Sequence, residues 1–350
     1  MSGTIGSNYS TLGLLIASGS TAKARVDTLT EQAASGHIAD SYGGLGAATQ
    51  TALTLQPQVA RLGVLQNNIA AANGRLDATQ AALTQLTSIA SDFYARVDTL
   101  NGLNASNADS VANAAKDALK QVANLLDTKN GAAYVFGGTN SAVPPVPNPD
   151  AILSSGFATQ IGAWVAGLTA NGAAMTVAST LAVAASDVPG TTPFGGPPGT
   201  LPTVETGDGV HTQTGLLANQ NTLAVSSGGS TTGSYTRDLL RSLATLSALG
   251  SGQIGAPGYA ALVADVRTSL SGVVNASGSE AGALGEQQKR LASVGTQLGN
   301  AATALKGQVS DVQDVDLAKT LASLSAAQTQ LQASYQLIAG LKSLSLTNYV

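Results

Sequence analysis

The C-terminal residues 310–350 read SDVQDVDLAKTLASLSAAQTQLQASYQLIAGLKSLSLTNYV. Two sets of residues repeat there at steps of seven. The first set is Leu317, Leu324, Leu331 and Ile338. The second set, Leu321, Gln328 and Tyr335, follows the first three of these at a distance of four residues. Apolar side chains at alternating steps of three and four form a stripe along one face of an α-helix. Because such a stripe needs a partner helix to cover it, this segment predicts a protein whose ends are built for assembly.

The composition argues against several other classes of function. The 350 residues carry a net charge of −4, and only 10% of them are charged. A nucleic-acid partner is therefore not expected, since phosphate binding needs clustered Lys and Arg. No segment approaches the ~20 apolar residues that span a bilayer, so membrane insertion is not expected either. The chain has no cysteine, which excludes disulfides and Cys-based metal sites.

The N-terminal part predicts a first helix over about Tyr9–Ala34. Ser35-Gly36 ends it, because glycine adopts the left-handed cap conformation readily. The opening residues MSGTIGSNYS carry no positive charge before the short apolar run Leu14–Ala17, so a cleaved secretory signal is not expected.

A longer helix is predicted over about Ala47–Leu100. Its apolar positions recur at steps of seven: Leu55, Leu62, Ile69, Leu76, Leu83, Ala90 and Val97. A second set falls three residues after several of these: Leu65, Ala72, Leu86, Phe93 and Leu100. A seven-residue repeat sustained over this length indicates a coiled-coil-like rod.

The middle of the chain, about Gly137–Ser234, has a different composition. It holds nine of the eleven prolines and no Lys or Arg. Proline at this density argues against long helices, and Ala174–Leu181 reads as a strand. We expect a mostly β or irregular insert that points to solvent. A partly disordered linker is the alternative.

Helices resume over Tyr235–Leu249 and about Tyr259–Lys306. Ser310 and Gln313 then predict a capping box for the terminal helix. The fold class is thus mainly α with a β-rich insert, in which the N- and C-terminal parts form a long coiled-coil-like helical bundle. This plan divides the chain into five segments. They are an N-terminal assembly helix at 1–40, the first half of the bundle at 41–136, the insert at 137–234, the second half of the bundle at 235–308, and a C-terminal assembly helix at 309–350.

Signals for catalysis are sparse. His37 and His211 have no ligand-type residues at metal spacing, and no G-x-S-x-G motif suggests a nucleophile. The acidic cluster Asp311, Asp314 and Asp316 is predicted to lie in the first turns of the terminal helix, where carboxylates favour the positive end of the helix dipole. Neither an enzyme nor a metal or other cofactor is expected.

Four stretches carry a resemblance to a known family: TQLQASY at Thr329–Tyr335 with Leu344-Ser345-Leu346, AAYVFGGT at Ala132–Thr139, ALGEQQKRL at Ala283–Leu291, and ASGHIADS at Ala34–Ser41. On these residues the chain resembles the flagellin superfamily, and most closely its hook-associated proteins of the hook-filament junction. Two departures stand out. His37 replaces the usual Lys or Arg, and Tyr42-Gly43-Gly44 replaces an acidic pair with a following proline.

The resemblance implies a structural subunit of the bacterial flagellum that forms the junction ring between hook and filament. It implies export without a cleaved signal to an extracellular position, and terminal helices that pair only on assembly. The implied partners are further copies in a ring or tube, a neighbouring hook-associated protein, flagellin, and an export chaperone bound through the C-terminal helix.

We expect two apolar seams on the terminal helices to stay exposed in the free subunit and to be buried by its neighbours. This predicted interface set consists of Leu12, Leu15, Val26, Leu29, Leu317, Leu321, Leu324, Leu331, Tyr335, Ile338, Leu344 and Leu346. Three alternatives stay open: flagellin itself, an enzyme or binding module in the insert, and a chemoreceptor-like coiled coil. The last is disfavoured because no membrane anchor is visible.

Overall fold

In the computed structural model the protein is mainly α-helical, with long helices at both ends, which confirms the predicted class. The structure describes residues 5–102, 104–196 and 199–346, and the side chains within residues 13–101, 104–196 and 199–340. The chain divides into two units, Met1–Val64 with Leu298–Val350, and Leu65–Gln297. The five-segment division of the sequence stays a prediction.

Eight α-helices and four short strands lie within the described residues. The helices are α1 Ile5–Ser35, α2 Thr49–Val97, α3 Ala105–Leu126, α4 Gly156–Ala166, α5 Leu168–Ala185, α6 Tyr235–Ala248, α7 Tyr259–Gln313 and α8 Leu317–Leu346. The strands form two antiparallel hairpins, β1 Lys129–Asn130 with β2 Ala133–Tyr134, and β3 Thr203–Gly207 with β4 Val210–Gln213.

The unit Leu65–Gln297 contains an antiparallel pairing of α2 with α7. Gln288 Nε2 donates to Asp77 Oδ1 at 2.7 Å, and Thr87 Oγ1 lies 3.0 Å from Ser277 Oγ, so residue numbers rise along one helix as they fall along the other. The seven-residue repeat predicted this core. The repeat positions of α2 within this unit are all buried: Ile69, Leu76, Leu83, Ala90 and Val97.

The insert is irregular with few strands, but its longest regular elements are the helices α4 and α5. The strand predicted at Ala174–Leu181 is wrong, because these residues lie inside α5. The prolines of the insert fall within residues 144–149 and 189–202, and none interrupts residues 150–188. Because the prolines are clustered at the two ends of this stretch, the residues between them can form two helices rich in alanine, the best helix former.

Arg237 of α6 joins this helix to the insert. Its guanidinium donates to the backbone oxygens of Asn219 at 2.8 Å, Ala184 at 3.0 Å and Ser186 at 3.2 Å. It also pairs with Asp187. Since residues 137–234 contain no Lys or Arg, α6 supplies the cations that the insert lacks.

The loop that returns from the insert to α6 is held by buried carboxylates. Glu280 of α7 accepts from the backbone N–H groups of Thr222 and Leu223. Asp238 of α6 accepts from the backbone N–H of Thr232 at 2.7 Å and from its hydroxyl at 2.8 Å. Burial raises the pKa of Asp238, although these hydrogen bonds oppose the shift. Acidic side chains therefore fix the path of a loop that has no regular structure.

By length and composition alone, α5 is apolar enough to cross a membrane, which the sequence reading did not anticipate. The helix is interrupted at Gly172, whose φ is +71°. Its unbroken part, residues 173–185, spans about 20 Å at 1.5 Å per residue, against a hydrocarbon core of about 30 Å. In the structure α5 packs against α4 and α6, with 28% of its residues buried.

Candidate assembly interface

The two terminal helices α1 and α8 pack against each other in an antiparallel pair. At the middle of α1, a Cβ placed on Gly19 would lie 3.7 Å from Ile338 Cδ1 in the last third of α8. At one end of the pair, the residue after α1, Gly36, bonds to Val315 just before α8. Gly19, Ala22 and Ala327 are buried, and such small side chains permit a close approach of two helices.

A short segment that we call the clasp, residues 36–38 with 313–315, closes one end of this pair. Ile38 N donates to Gln313 O at 2.7 Å, and Val315 N donates to Gly36 O at 2.9 Å. His37 Nδ1 lies 2.8 Å from Asp314 Oδ1. Gly36 has a φ of +76° and ends α1, as the sequence predicted, and its left-handed conformation turns the chain toward Gln313.

The capping box predicted at Ser310 and Gln313 is wrong. Because α7 continues to Gln313, Ser310 lies inside that helix, and its hydroxyl donates to the Asp314 carboxylate. Asp316 caps α8 instead, accepting from Lys319 N at 3.0 Å. The acidic cluster is therefore divided between elements, with Asp311 inside α7, and only Asp316 lies at the start of α8.

The electrostatics of the clasp centre on Asp314. The hydrogen bond from Ser310 is the main cause that lowers the pKa of Asp314, and the contact with His37 lowers it further. His37 and Asp314 are both about half exposed, so solvent screens the pair.

The predicted interface set is only partly exposed. Leu317, Leu321 and Tyr335 are exposed. The half-buried members are Leu15, Val26, Leu29, Leu324, Leu331 and Ile338. Leu12, Leu344 and Leu346 lie outside the residues whose side chains are described. The expectation that both seams stay exposed in the single chain is thus wrong for the half-buried members, because α1 and α8 already pair within one subunit. A contact of these residues with neighbouring subunits stays a prediction.

Sequence reasoning missed three outward-facing apolar side chains on the same helices. Leu14, Ile16 and Leu337 are 70%, 55% and 59% exposed. A signal was present, because Leu14, Leu15 and Ile16 are consecutive. Successive residues of a helix point about 100° apart, so one partner helix cannot cover all three. Exposed apolar side chains on paired helices are typical of surfaces that bind another protein.

The structure offers little for catalysis. Among the described residues, no group of three or more His, Asp or Glu side chains could hold a metal ion. His211 is exposed on β4, away from the clasp in sequence and in a different unit. A cleft of about 380 Å³ in the insert is lined by residues such as Phe136, Pro144 and Phe194, and its described lining includes no ionisable side chain.

Paired helices from the two ends of one chain, with an insert between them, define a helical assembly subunit. Residues 7–141 match the model of the bacterial flagellin N-terminal helical region, and residues 269–350 match that of the C-terminal helical region. The two matches together cover more than half of the chain, and they leave out most of the insert. A comparison with curated proteins found no match. The chain belongs to the flagellin family, and it is a structural subunit of the bacterial flagellum that is exported and self-assembles.

Proposed function

We propose that this subunit forms the junction ring between hook and filament. The observation that carries the proposal is the C-terminal sequence TQLQASY at Thr329–Tyr335 with the Leu344-Ser345-Leu346 ending, which resembles junction proteins more closely than the filament subunit. Its neighbours would then differ, with a second hook-associated protein on one side and flagellin on the other.

The mechanism is mechanical. Pairing of α1 with α8 covers part of each apolar seam and leaves Leu321, Leu337 and Leu14 facing outward. Apolar surface of this kind gains about 25 cal/mol for each Å² that a neighbouring subunit removes from water. Neighbouring copies therefore cover what the internal pairing leaves exposed, and the helix pair becomes the axial contact of the ring.

The turn at Ala132–Thr139, where the chain passes from the helices into the insert, has a fixed geometry. Val135 and Phe136 are buried, and Thr139 N donates to Thr200 O at 2.9 Å. Gly138 has a φ of +61°, and a Cβ there would lie 2.6 Å from Thr200 O. The turn thus requires glycine where the chain enters the insert.

The export route forms part of the same proposal. The subunit is exported without a cleaved signal, and a chaperone binds the outward apolar face of α8 until export. Leu321 and Leu337, both exposed, would lie in this contact. Binding there would prevent premature self-association, because the same side chains serve assembly.

Flagellin itself is the second candidate, and one observation favours it. Both matched regions are described as those of bacterial flagellin. Immunogold labelling of isolated flagella with an antibody against residues 137–234 separates the two. A single band where hook meets filament is the expected result. Label along the whole filament would instead identify the bulk filament subunit.

A further inference from the structure

The clasp joins three pieces of chain through few bonds. It ties the end of α1 to the end of α7 and the start of α8 by two backbone hydrogen bonds, from Ile38 N and Val315 N. Gln32 Nε2 adds a bond to Ile38 O at 2.9 Å. Because so few bonds hold it, a change in one side-chain contact alters how often the clasp opens.

His37 and Asp314 form the ionisable contact across the clasp, with His37 Nδ1 at 2.8 Å from Asp314 Oδ1. The other oxygen of Asp314 accepts from Ser310. Of the groups that line the cleft beside His37, Asp40 and Tyr42 are titratable, and Gln56 and Gln313 are neutral.

The remaining charges near the clasp belong to the flanking helices. Asp311 lies in the last turn of α7, and Asp316 and Lys319 lie at the start of α8. The near surroundings of His37 are therefore mainly acidic.

We propose that the clasp is a pH-responsive latch, closed more firmly when His37 is protonated and loosened when it is neutral. A histidine ordinarily changes charge near pH 6.5. A neutral imidazole can keep the hydrogen bond to Asp314 in one tautomer, but it loses the attraction between charges.

The direction in which pH changes the closure of the clasp follows from the charges of His37 and Asp314. The attraction between a protonated imidazole and a carboxylate is present at mildly acidic pH and is lost as the pH rises through the range in which histidine ordinarily changes charge. Since Ser310 and His37 lower the pKa of Asp314, the carboxylate stays ionised throughout that window. The latch is therefore firmest at mildly acidic pH and weaker at neutral and alkaline pH, in the soluble subunit and independently of the junction role.

NMR-detected hydrogen exchange of the soluble subunit tests the latch. The amide protons of Ile38 and Val315 bond across the clasp, so their protection relative to intrinsic exchange reports its opening. We expect this protection to be about two- to five-fold greater at pH 5.5 than at pH 8, the size of effect an exposed ion pair gives. The amide of Leu249 in the other unit serves as the reference and should not change.

Variants separate the proposed cause from a general effect of pH. His37→Arg keeps a permanent charge and should hold the protection high at both pH values. His37→Gln should hold it low at both, and His211→Gln, which alters the other histidine, should behave like the unmodified chain. Unchanged protection between pH 5.5 and 8 in the unmodified chain would overturn the proposal. So would a pH dependence that survives in His37→Gln.

Discussion

Single residues in α4 show how identical substitutions can have opposite effects. A Cβ on Gly156, at the start of α4, would lie 1.7 Å from the backbone oxygen of Gly190, a contact that cannot form without a backbone shift. A Cβ on Gly162, six residues later in the same helix, would meet nothing within 4 Å. Gly156 thus permits a close approach of two chain segments, whereas Gly162 only weakens the helix.

We expect Gly156→Ala to lower the free energy of unfolding by about 1–3 kcal/mol, because overpacking forces the backbone to shift. Gly162→Ala should raise it by up to about 1 kcal/mol through better helix propensity. Urea unfolding followed by circular dichroism measures both. Equal effects of the two substitutions would show that the contact between Gly156 and Gly190 is not present in solution.

Arg237 is the residue on which the attachment of the insert most depends. Replacement by alanine leaves three backbone oxygens without this donor, two of them in the buried residues Ala184 and Asn219, so Arg237→Ala should cost about 3 kcal/mol in urea unfolding. Arg96 is the matched control. It forms an i,i+4 pair with Asp92 at 2.7 Å, but both side chains are exposed, so Arg96→Ala should cost under about 1 kcal/mol. A similar loss in both variants would contradict the anchoring role of Arg237.

At the scale of elements, the pairing of α1 with α8 within one chain is the main departure from the expectation that these helices pair only on assembly. The chain has no cysteine, so introduced thiols report contacts without background. In the variant with Gly19→Cys and Ile338→Cys, a short thiol cross-linker should join the helices in the soluble subunit, because a Cβ at position 19 would lie 3.7 Å from the Ile338 side chain.

The matched control combines Gly13→Cys with Ile338→Cys. Gly13 lies six residues earlier in α1, about 9 Å along the axis and turned by about 120°, so this pair should cross-link poorly. If the first variant cross-links only after assembly, the helices pair on assembly as the resemblance implies, and the internal pairing is wrong for the free subunit.

An aspartate introduced on the outward face of α8 should have a different effect from one introduced on its inward face. Leu321 is exposed, so Leu321→Asp should abolish incorporation into the assembled polymer and leave the α1–α8 pair intact. Leu324 is half-buried, and Leu324→Asp should impair both incorporation and the cross-link described above. Sedimentation of assembled material measures incorporation. Gln330→Asp, a substitution at an exposed polar position, is the control. Normal assembly of Leu321→Asp would show that the outward face is not part of the interface.

At the scale of the whole molecule, the unit Leu65–Gln297 has its own core. Leu83, Leu119, Leu243 and Leu262 are among its fully buried side chains, and none of them belongs to the other unit. A large apolar core that is complete within one unit predicts that this unit folds without the terminal helices.

Removal of residues 1–40 and 315–350 should therefore leave a cooperative urea transition in the remaining chain and abolish its assembly. Circular dichroism follows the transition, and analytical ultracentrifugation follows assembly. Loss of the cooperative transition would show that α1 and α8 are needed for the fold. Assembly that persists in the shortened chain would contradict the proposed mechanism.

The sequence determined by itself the features that repeat locally. The seven-residue period predicted the buried side of α2, because one helix turns its apolar positions to the same face at each repeat. The end of α1 at Gly36 also depends on near neighbours, and it is confirmed. Even so, one local signal can override another, as a helix-capping pattern shows. Ser310 has the pattern of a helix cap but lies inside α7, because the preceding helix continues through it.

Only the tertiary structure decided which apolar side chains are covered and where charges are buried. The seam on α8 looks uniform in sequence, yet Leu324 is half-buried and Leu321 is exposed, because α1 covers one side of the helix alone. The partners of Arg237 lie 18 to 53 residues away, and no local pattern indicates them. Burial and long-range pairing depend on which segments meet in space, and that is fixed by the whole fold rather than by any stretch of the chain.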